Sequence, residues 1–500
     1  MLYPTYKINK PIRLISLFSG YDSQALALKY LGVNYEHYKT CEWAVKSIQA
    51  LKDLHFENDN TDYSKDLTDK EIKEYLLEKG ISSNYNDPMT ESQVNRLSYK
   101  QARNIYNNIK ATNNLVNIQQ VKGTDLCIKD TDKFTYLLTY SFPCQDLSLA
   151  GKGKGMSDTS TRSGMLWEVE RILTELEEKP QILLMENVPM IHSIDNVADF
   201  NKWQLRLEEL GYKNYCQDLI ATDYGIPQTR NRCFMVSILG DYNYTFPKPI
   251  PLKLKLKDML EDNVPEKYYL SDKMLEYCLG VNQKESKFPR GERFLQSLQT
   301  TNEKGLATTI STNAGNRPVD NFIKEENLKT KLCNDLIKEN IVKGGEIINH
   351  SYTTSEHRDT LEKYIETDNG ISPTLTTRAD ILGVVVNDDS LKIRNATKKG
   401  YLEATEGDGI DISSRMEYHR GTVQKDKAQT LSTMGGENVG VISKDLRIRK
   451  LTPKECFRLM GVKDEDFEKV AKNQSDNSLY HLAGDSIVVN VLMAIFKEML

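Results

Sequence analysis

A cysteine stands directly behind a proline, at the point where an apolar stretch of the chain ends. Residues 134–142 are apolar and predict a strand, and Pro143 and Cys144 open a polar, glycine-rich loop. A thiol at the mouth of a sheet is presented to a ligand instead of being buried, and its thiolate is a nucleophile. Cys144 is therefore a candidate for covalent chemistry.

The same arrangement recurs at a second strand end. Residues 181–185 are apolar, and Glu186 and Asn187 follow them. Later in the chain, Gln-Thr-Arg-Asn-Arg carries Arg230 and Arg232. Because ligands bind beyond the carboxyl ends of the strands in wound α/β sheets, we expect the thiol and the acid to face one crevice.

Near the start of the chain, a strand, a tight turn and a helix start follow one another. The turn contains Phe18, Gly20, Tyr21, Asp22 and Ser23. Such a turn offers free backbone N–H groups to a ligand, and an aspartate or serine there caps the helix.

In their order and spacing, these motifs resemble the DNA (cytosine-5)-methyltransferase family, which uses S-adenosylmethionine. The resemblance implies an α/β fold: a wound mixed sheet with helices on both faces, the Rossmann-like methyltransferase fold, plus a smaller β-rich target-recognition domain. It also implies transfer of a methyl group to C5 of a flipped-out cytosine in double-stranded DNA, within a specific sequence.

The resemblance assigns catalytic roles to five residues. Cys144 would add to cytosine C6, Glu186 would hydrogen-bond N3 and the exocyclic amine, and Arg232 would bind O2 and hold Glu186 in place. Arg230 would steady the loop or a phosphate, and Asn187 completes the set.

The resemblance also implies a cofactor site for S-adenosylmethionine. Glu42 would accept the ribose hydroxyls, Trp43 would lie against the adenine, and Asp125 would take the adenine amino group, with Leu166 packing on the base. The complete predicted set is Phe18, Gly20, Tyr21, Asp22, Ser23, Glu42, Trp43, Asp125, Leu126, Pro143, Leu166, Asp485 and Ser486. Asp22 replaces a glycine of the family pattern and Asp485 replaces an asparagine.

Two segments are predicted to contact DNA. The loop at 145–158 is cationic and glycine-rich, and a segment with alternating threonine and apolar residues occurs three times, at 305–312, 370–377 and 427–433. The predicted contacts are Gln145, Ser148, Lys152, Lys154, Thr374, Leu375, Thr430 and Leu431. The lysines could instead serve solubility, and the repeats are either three strands of one domain or separate readers of different targets.

We expect three regions. Residues 1–250 form the catalytic and cofactor-binding domain, with a helical insertion at about 55–114 that is either a surface elaboration or a DNA or partner contact. Residues 251–446 form the target-recognition domain, and residues 447–500 return to the catalytic domain. In that last region, residues 449–461 predict a capped packing helix and a final helix runs from residue 480 to residue 500.

Composition indicates an intracellular enzyme. The 500 residues carry a net charge of −5, and the eight cysteines are scattered singly, without a Cys-x-x-Cys pair. We therefore expect a cytoplasmic, monomeric protein with reduced thiols, no metal and no membrane span.

Two alternative functions stay open. One is the transfer-RNA cytosine methyltransferase branch of the same family. The other is a sequence-specific DNA binder that has lost turnover, suggested by Asp22 and Asp485. The sequence also leaves open the target, the presence of a cognate restriction endonuclease and the biological role.

Overall fold

The computed structural model describes residues 3–143, 163–269, 347–349, 365–366, 382–384, 390–397, 399–405, 407–411, 421–428, 439–442 and 448–500. The chain divides into two compact units. The first consists of Met1–Glu261, Lys427–Gly436 and Thr452–Leu500. The second consists of Asp262–Asp426 and Glu437–Leu451.

The first unit is built on a six-stranded mixed sheet. Its strands are β1 Ile12–Leu17, β2 Tyr35–Cys41, β3 Thr135–Tyr140, β4 Ile182–Asn187, β5 Tyr212–Ile220 and β6 Asn231–Leu239, in the order β2-β1-β3-β4-β6-β5. Strands β2, β1, β3 and β4 are parallel, and β6 is antiparallel to both of its neighbours.

From the sequence, strands are predicted at residues 13–18, 38–43, 134–142, 181–185 and 233–239. They agree with β1, β2, β3, β4 and β6 to within a few residues, whereas β5 was not predicted. β5 lies at the edge of the sheet, and Cys216, Gln217 and Asp218 in its middle are exposed. An edge strand that is half solvated has no continuous apolar run, so its composition resembles that of a loop.

Helices cover both faces of the sheet, as the fold prediction required. They are α1 Ser23–Tyr30, α2 Val45–His55, α3 Asp69–Lys79, α4 Glu91–Asn95, α5 Tyr99–Ala111, α6 Leu166–Glu175 and α7 Val197–Glu209. On one face, α6 and α7 close a core in which the buried Trp203 indole donates to the Tyr140 hydroxyl over 3.2 Å. On the other face, α1 packs against the last helix of the chain.

The predicted helical insertion is present as α3, α4 and α5. The sequence Thr68-Asp-Lys-Glu71 predicts a capping box that opens a helix, and Gly80 predicts its end. The structure confirms both, because Thr68 caps α3 with Glu71 and Gly80 ends the helix in the left-handed conformation. The insertion has its own apolar cluster, which includes Ile72 and Leu76. The insertion is thus a packed extension of the first unit.

The C-terminal segment returns to the first unit as four helices. They are α8 Pro453–Leu459, α9 Asp464–Ala471, α10 Asp476–Asp485 and α11 Val489–Lys497. Thr452 and Glu455 form the capping box of the predicted packing helix α8. The prediction of one final helix from residue 480 is wrong, because α10 ends at Asp485 and Ser486 is extended.

In the part of the chain that the structure describes, one segment, Asp476–Lys497, which comprises α10, the break at Ser486 and α11, is long and apolar enough to cross a membrane. Its most apolar window has a mean hydropathy of 1.6, and 72% of that window is buried inside the protein.

The described part of the second unit is made of short antiparallel strands. They are β7 Ile347–Asn349, β8 Ile365–Glu366, β9 Leu382–Val384, β10 Leu391–Arg394, β11 Tyr401–Ala404, β12 Gly409–Asp411, β13 Val423–Gln424, β14 Val439–Ile442 and β15 Ile448–Lys450. They form sheets of order β8-β7-β9 and β13-β12-β14-β15 and the pair β10-β11. Gly383 and Val384, which follow the second repeat, lie in β9, and Gly440 and Val441, which follow the third, lie in β14. These two strands belong to different sheets.

Gly123 lets a turn approach α6 closely, and its replacement tests this packing. A Cβ at Gly123 would lie 2.8 Å from Glu175 Cβ and 3.0 Å from the Ile172 carbonyl oxygen. Because the helix backbone must shift to admit it, Gly123→Ala should lower the free energy of unfolding by about 1–3 kcal/mol. Urea denaturation measures this, with the exposed neighbour change Thr124→Ala as control. Equal stabilities of the two variants would contradict the close approach.

Candidate active site

The predicted site residues follow four neighbouring strands at the same edge of the sheet. The turn after β1 carries Gly20, β2 leads to Glu42, β3 leads to Pro143, and β4 ends with Glu186 and Asn187. Because these strands are parallel, their carboxyl ends meet at this edge, where wound α/β sheets bind ligands.

Glu186 and Arg232 form an ion pair at this edge. Arg232 Nε lies 3.1 Å from Glu186 Oε1, and the side chains are 18% and 9% exposed. Burial raises the pKa of Glu186 above its usual value, against the opposing effect of the Arg232 and Arg230 charges. The carboxyl is therefore both held in place by a guanidinium and able to take a proton more readily than a solvated glutamate.

Asn187 ties the end of β4 to the end of β3. Its Nδ2 donates to the Phe142 carbonyl oxygen over 3.1 Å, and its Oδ1 accepts from the Val188 backbone N–H over 2.8 Å. The side chain is buried. Asn187 thus fixes the backbone immediately before Pro143 and Cys144, which makes it a positioning residue.

Arg230 is buried and points toward the C-terminal segment. Its Nη2 donates to the Gly484 carbonyl oxygen over 3.0 Å and to the Ser486 carbonyl oxygen over 2.8 Å. Arg230 therefore binds the backbone of the C-terminal turn, and the roles predicted for it, steadying the loop or a phosphate, stay predictions. These bonds hold the turn that separates α10 from α11.

The turn after β1 uses the left-handed conformation three times. Phe18, Gly20 and Asp22 have φ angles of 56°, 56° and 63°. A left-handed backbone strains residues other than glycine, and Asp22 occupies the position where the family pattern has its second glycine. The Asp22 carboxylate offsets this strain by accepting from the Ala25 backbone N–H over 3.1 Å, which caps α1.

Two histidines form polar contacts with this turn. His37 Nε2 lies 2.7 Å from Asp22 Oδ2, and His55 Nε2 lies 2.9 Å from the Tyr21 carbonyl oxygen. Burial, aided by the His37 charge, lowers the pKa of His55 to about 4. For Asp22, burial raises the pKa, but the charge and hydrogen bond of His37 outweigh burial, so the pKa falls. Asp22 is therefore a buried anion that serves the turn itself.

Glu42 holds the same turn from the neighbouring strand. Its carboxylate accepts from the Gly20 N–H over 2.9 Å and from the Ala44 N–H over 2.8 Å. Burial raises the pKa of Glu42 to about 7, and the Asp485 charge adds to the effect while the backbone donors oppose it. Glu42 thus changes its charge near neutral pH.

Tyr85 and His481 also lie at this edge, and sequence reasoning missed both. The Tyr85 ring stacks on the His481 ring with centroids 3.7 Å apart, and His481 Nδ1 lies 2.8 Å from Asp485 Oδ2. Burial raises the pKa of Tyr85, and the charges of Glu42 and Asp485 raise it further. The sequence signal for His481 was the aspartate four residues later, because residues i and i+4 of a helix are neighbours. No sequence signal indicated Tyr85, which lies in the insertion.

The C-terminal segment lies against the first turn. The Ile487 N–H donates to Ser23 Oγ over 3.3 Å, and Ser486 Oγ donates to the Ala483 carbonyl oxygen over 2.9 Å. The sequence prediction that this segment folds back beside the glycine turn therefore agrees with the structure.

Several predicted cofactor residues have other partners in this structure. Tyr21, Leu126 and Leu166 are fully buried, and Tyr21 stacks on Phe457. Their side chains are core residues here, and the packing of Leu166 on an adenine stays a prediction.

Asp125 and Trp43 also have local partners. The exposed Asp125 carboxylate accepts from the Lys122 N–H over 2.9 Å, which closes its own turn. Trp43 is half-buried against the insertion cluster. Their cofactor roles stay predictions, as do those of Phe18, which packs on the sheet core, and the half-buried Pro143.

The predicted nucleophile and the predicted DNA contacts lie outside the described residues. These are Cys144, Gln145, Ser148, Lys152, Lys154, Thr374, Leu375, Thr430 and Leu431.

The described residues thus form two neighbouring groups at one sheet edge. One group is the buried Glu186 carboxyl paired with the Arg232 guanidinium, beside the backbone that leads to Cys144. This arrangement suits the addition of a thiol to a polar ring with the assistance of an acid. The other is a carboxyl with free acceptor capacity beside a turn of backbone N–H groups, which suits a ligand with hydroxyl groups.

Comparison with known proteins identifies the family to which this chain belongs. The profile of the C-5 cytosine-specific DNA methylase family matches residues 78–500. A type II methyltransferase of Lactococcus lactis subsp. cremoris, M2.ScrFI, is 36% identical over 285 residues, which are 54% of this chain and 76% of that protein. The orphan methyltransferase M.SssI of Spiroplasma monobiae is 37% identical over 274 residues, 54% of this chain and 70% of that protein.

Among solved structures, the S. pombe Dnmt2 methyltransferase aligns over 97% of both chains with a TM-score of 0.45 and 13% identity.

Replacing Asp22 by asparagine tests the charge beneath the first turn. Asn tolerates the left-handed conformation and caps helices, so Asp22→Asn removes mainly the bond of a carboxylate to His37. We expect a loss of about 1–3 kcal/mol in the free energy of unfolding at pH 7. Because the folded-state pKa of Asp22 is lowered, this stability is present above the unfolded pKa and should vanish as pH falls through the folded pKa.

Chemical denaturation at pH 7 and in the acid range measures this difference, with the exposed change Asp66→Asn as control. A variant with wild-type stability at every pH would show that the Asp22–His37 pair carries no net stability.

Proposed function

Because the chain belongs to the C-5 cytosine-specific DNA methylase family, we propose that Cys144, Glu186 and Arg232 carry out its methyl transfer and that S-adenosylmethionine is the donor. The protein is a DNA (cytosine-5)-methyltransferase that forms a covalent adduct with the cytosine. The observation that supports the residue assignment is the buried Glu186–Arg232 pair. Next to it, the Asn187 side chain donates to the carbonyl of Phe142, two residues before Cys144, and so fixes the backbone there.

The chemistry requires a nucleophile, since C5 of cytosine is too weak a carbon nucleophile to attack a methyl group unaided. The Cys144 thiolate adds to C6 and forms a C–S bond, and the electron pair of the C5–C6 double bond becomes available at C5. After C5 has gained the methyl group, a base removes the C5 proton, and expulsion of the Cys144 thiolate restores the aromatic ring.

Glu186 assists the addition. As sulfur adds to C6, negative charge develops on the pyrimidine, and a protonated carboxyl at N3 neutralises it. The raised pKa of Glu186 favours that protonated form, while Arg232 limits the rise and keeps the carboxyl oriented. Arg232 is the partner that we assign to the cytosine O2.

The turn after β1 and the end of β2 fit S-adenosylmethionine, which supplies an electrophilic methyl group on a sulfonium. Glu42 would hold the ribose, because its carboxylate is anchored by the N–H groups of Gly20 and Ala44 and has remaining lone pairs for hydroxyl donors. Asp485 and the stacked Tyr85–His481 pair border the same carboxyl. Asp485 would place a negative charge toward a cationic ligand.

The part of the chain between the active-site motifs and the C-terminal segment is the proposed target reader. The described second unit consists of short antiparallel strands, and two of the three repeats lead into β9 and β14. We assign Thr374, Leu375, Thr430 and Leu431 to base contacts and the loop with Gln145, Ser148, Lys152 and Lys154 to the DNA backbone and the space left by the flipped cytosine.

The biological setting is a further proposal. One relative is called a type II methyltransferase and the other an orphan methyltransferase. The first name is consistent with a cognate endonuclease, and the second does not require one. We propose a monomeric cytoplasmic enzyme acting on duplex DNA. A DNA-methylase profile that matches most of the chain favours DNA over transfer RNA as the substrate.

Mapping of 5-methylcytosine tests substrate and nucleophile together. The purified chain is incubated with S-adenosylmethionine and unmethylated mixed-sequence duplex, and bisulfite sequencing should show one recurring modified motif. Cys144→Ser should lower modification at least about 1000-fold because serine lacks a comparably acidic nucleophile, while DNA affinity persists. The exposed change Cys127→Ser should leave the pattern unchanged.

Two or more unrelated motifs would support separate readers. Full activity of Cys144→Ser would remove Cys144 from the mechanism, and modification of transfer RNA alone would overturn the DNA assignment. A protein that binds DNA, does not bind S-adenosylmethionine and methylates neither substrate would be the binder without turnover.

The titration of Glu42 predicts how cofactor binding depends on pH. The ribose hydroxyls need the carboxylate form, which is lost as pH falls below about 7, the pKa of Glu42. The dissociation constant for S-adenosylmethionine, measured by calorimetry, should rise up to about tenfold per pH unit below that value. Glu42→Gln should bind more weakly at pH 8 and lose this dependence.

Glu36→Gln, at the opposite end of β2, is the matched control and should bind as the wild type does at each pH. A wild-type affinity that is constant between pH 5.5 and 8 would refute the ribose role of Glu42.

A further inference from the structure

Two thiols and an imidazole converge behind the catalytic edge of the sheet. Cys216 on β5 and Cys233 on β6 have their Sγ atoms 3.4 Å apart, and Cys216 Sγ lies 3.9 Å from His192 Nε2. The three ligand atoms all lie within 4.8 Å of one another. We propose that His192, Cys216 and Cys233, with Asp218, form a binding site for a thiophilic divalent cation such as Zn²⁺.

The strand register explains why these side chains meet. Asp218 is directly opposite Cys233, and Cys216 precedes Asp218 by two residues, so all three project from one face of the β5–β6 ladder. His192 ends a 3₁₀ turn, Pro189–His192, that follows β4. Its Nε2 lies 3.3 Å from Asp218 Oδ1. Three separate elements thus supply four donors of the types that zinc prefers.

The spacing of the donors suits a tetrahedral ion. With Zn–S bonds of about 2.3 Å and Zn–N or Zn–O bonds of about 2.0–2.1 Å, a tetrahedron requires about 3.8 Å between sulfurs, about 3.5 Å from sulfur to nitrogen and about 3.3 Å from nitrogen to oxygen. The observed separations are 3.4, 3.9 and 3.3 Å. These three contacts lie within about 0.4 Å of the tetrahedral values. Asp218 is joined to the cluster through His192.

A disulfide is the other structure that two neighbouring thiols could form, and the register disfavours it. Cys216 lies opposite Met235, so Cys216 and Cys233 are diagonal neighbours across the ladder. Diagonal pairs have Cα atoms about 7–8 Å apart, and a disulfide cannot span more than about 7 Å without backbone movement. A cation placed between the sulfurs needs no such movement.

The surroundings favour a cation over two free thiols. Cys233 is fully buried, and its Sγ lies 3.4 Å from that of the exposed Cys216. Binding of a divalent cation would release the thiol protons and supply the positive charge that two closely spaced thiolates require. The His192 and Asp218 side chains are 39% and 37% exposed, so a solvated ion reaches the cluster from the surface.

The site would brace the catalytic strand ends from the opposite face. Cys233 is opposite Asn187 in the β4–β6 ladder and follows Arg232, whose side chain projects from the other face with that of Glu186. A bound cation would join the turn after Asn187 to β5 and β6. This inference is independent of the methyl-transfer roles assigned above.

Titration of the reduced full-length chain with Co²⁺, as a spectroscopic substitute for Zn²⁺, tests the proposal. We expect one ion per chain with a thiolate-to-cobalt charge-transfer band and the intense visible bands of a tetrahedral site, displaced by Zn²⁺. Cys216→Ala and His192→Ala should each weaken binding at least about tenfold, the lower limit for losing even an outer-shell partner. Cys127→Ser, which removes an exposed thiol elsewhere, should titrate as the wild type does.

Absence of the charge-transfer band in the wild type, or wild-type titration of both Cys216→Ala and His192→Ala, would overturn the proposal. Circular dichroism verifies folding, and Cys216→Ala alone decides if His192→Ala does not fold, because Cys216 is exposed. A Cys216–Cys233 disulfide found by peptide mass mapping of the untreated protein would overturn it as well.

Discussion

The buried ion pair between Glu186 and Arg232 is the interaction on which the catalytic edge depends. A glutamate at the end of a central strand costs free energy to bury, and the guanidinium on the neighbouring antiparallel strand offsets that cost. Removing one partner of a buried pair typically costs about 3–5 kcal/mol because the other charge is left uncompensated. The pair therefore links the proposed catalytic role of Glu186 to the direction of β6, since the antiparallel β4–β6 register places Arg232 beside Glu186.

The C-terminal segment packs against the first turn, on the side of this edge where we propose that the cofactor binds. Arg230 binds the carbonyls of Gly484 and Ser486, and Ser23 accepts from Ile487. These contacts hold the break between α10 and α11 against the first turn. They also bring the Asp485 charge close enough to raise the pKa values of both Glu42 and Glu186. The replacement of a family asparagine by Asp485 therefore acts on both acids at once.

The first turn shows how a departure from a family pattern is accommodated. Asp22 takes a left-handed conformation that a glycine would adopt without strain, yet its carboxylate caps α1 and pairs with His37. His55 meanwhile supports the Tyr21 carbonyl. The turn can therefore keep its backbone path for a ligand without its second glycine. This accommodation weakens the reason for regarding the protein as a binder without turnover.

The opposite face of the same strand ends carries different chemistry. Because successive side chains of a strand point to opposite faces, Arg232 and Cys233 belong to separate groups although they are adjacent in sequence. One group faces the proposed substrate side, and the other forms the proposed cation site with His192. The edge position of β5 leaves that second group accessible to solvent.

The sequence by itself determined the family, the wound α/β class, five of the six strands of the main sheet and the motifs at their ends. These features are local, because apolar runs, capping boxes such as Thr68–Glu71 and short motifs are properties of neighbouring residues. Only the tertiary structure decided that Arg230 holds the C-terminal turn, that His37 pairs with Asp22, that Tyr85 and His481 border Glu42, and that Cys216, Cys233 and His192 converge. Each of these depends on strand register or on contacts between distant segments, and no local pattern encodes either. The edge strand β5 was missed for a related reason, since half of it is solvated and only its pairing with β6 makes it a strand.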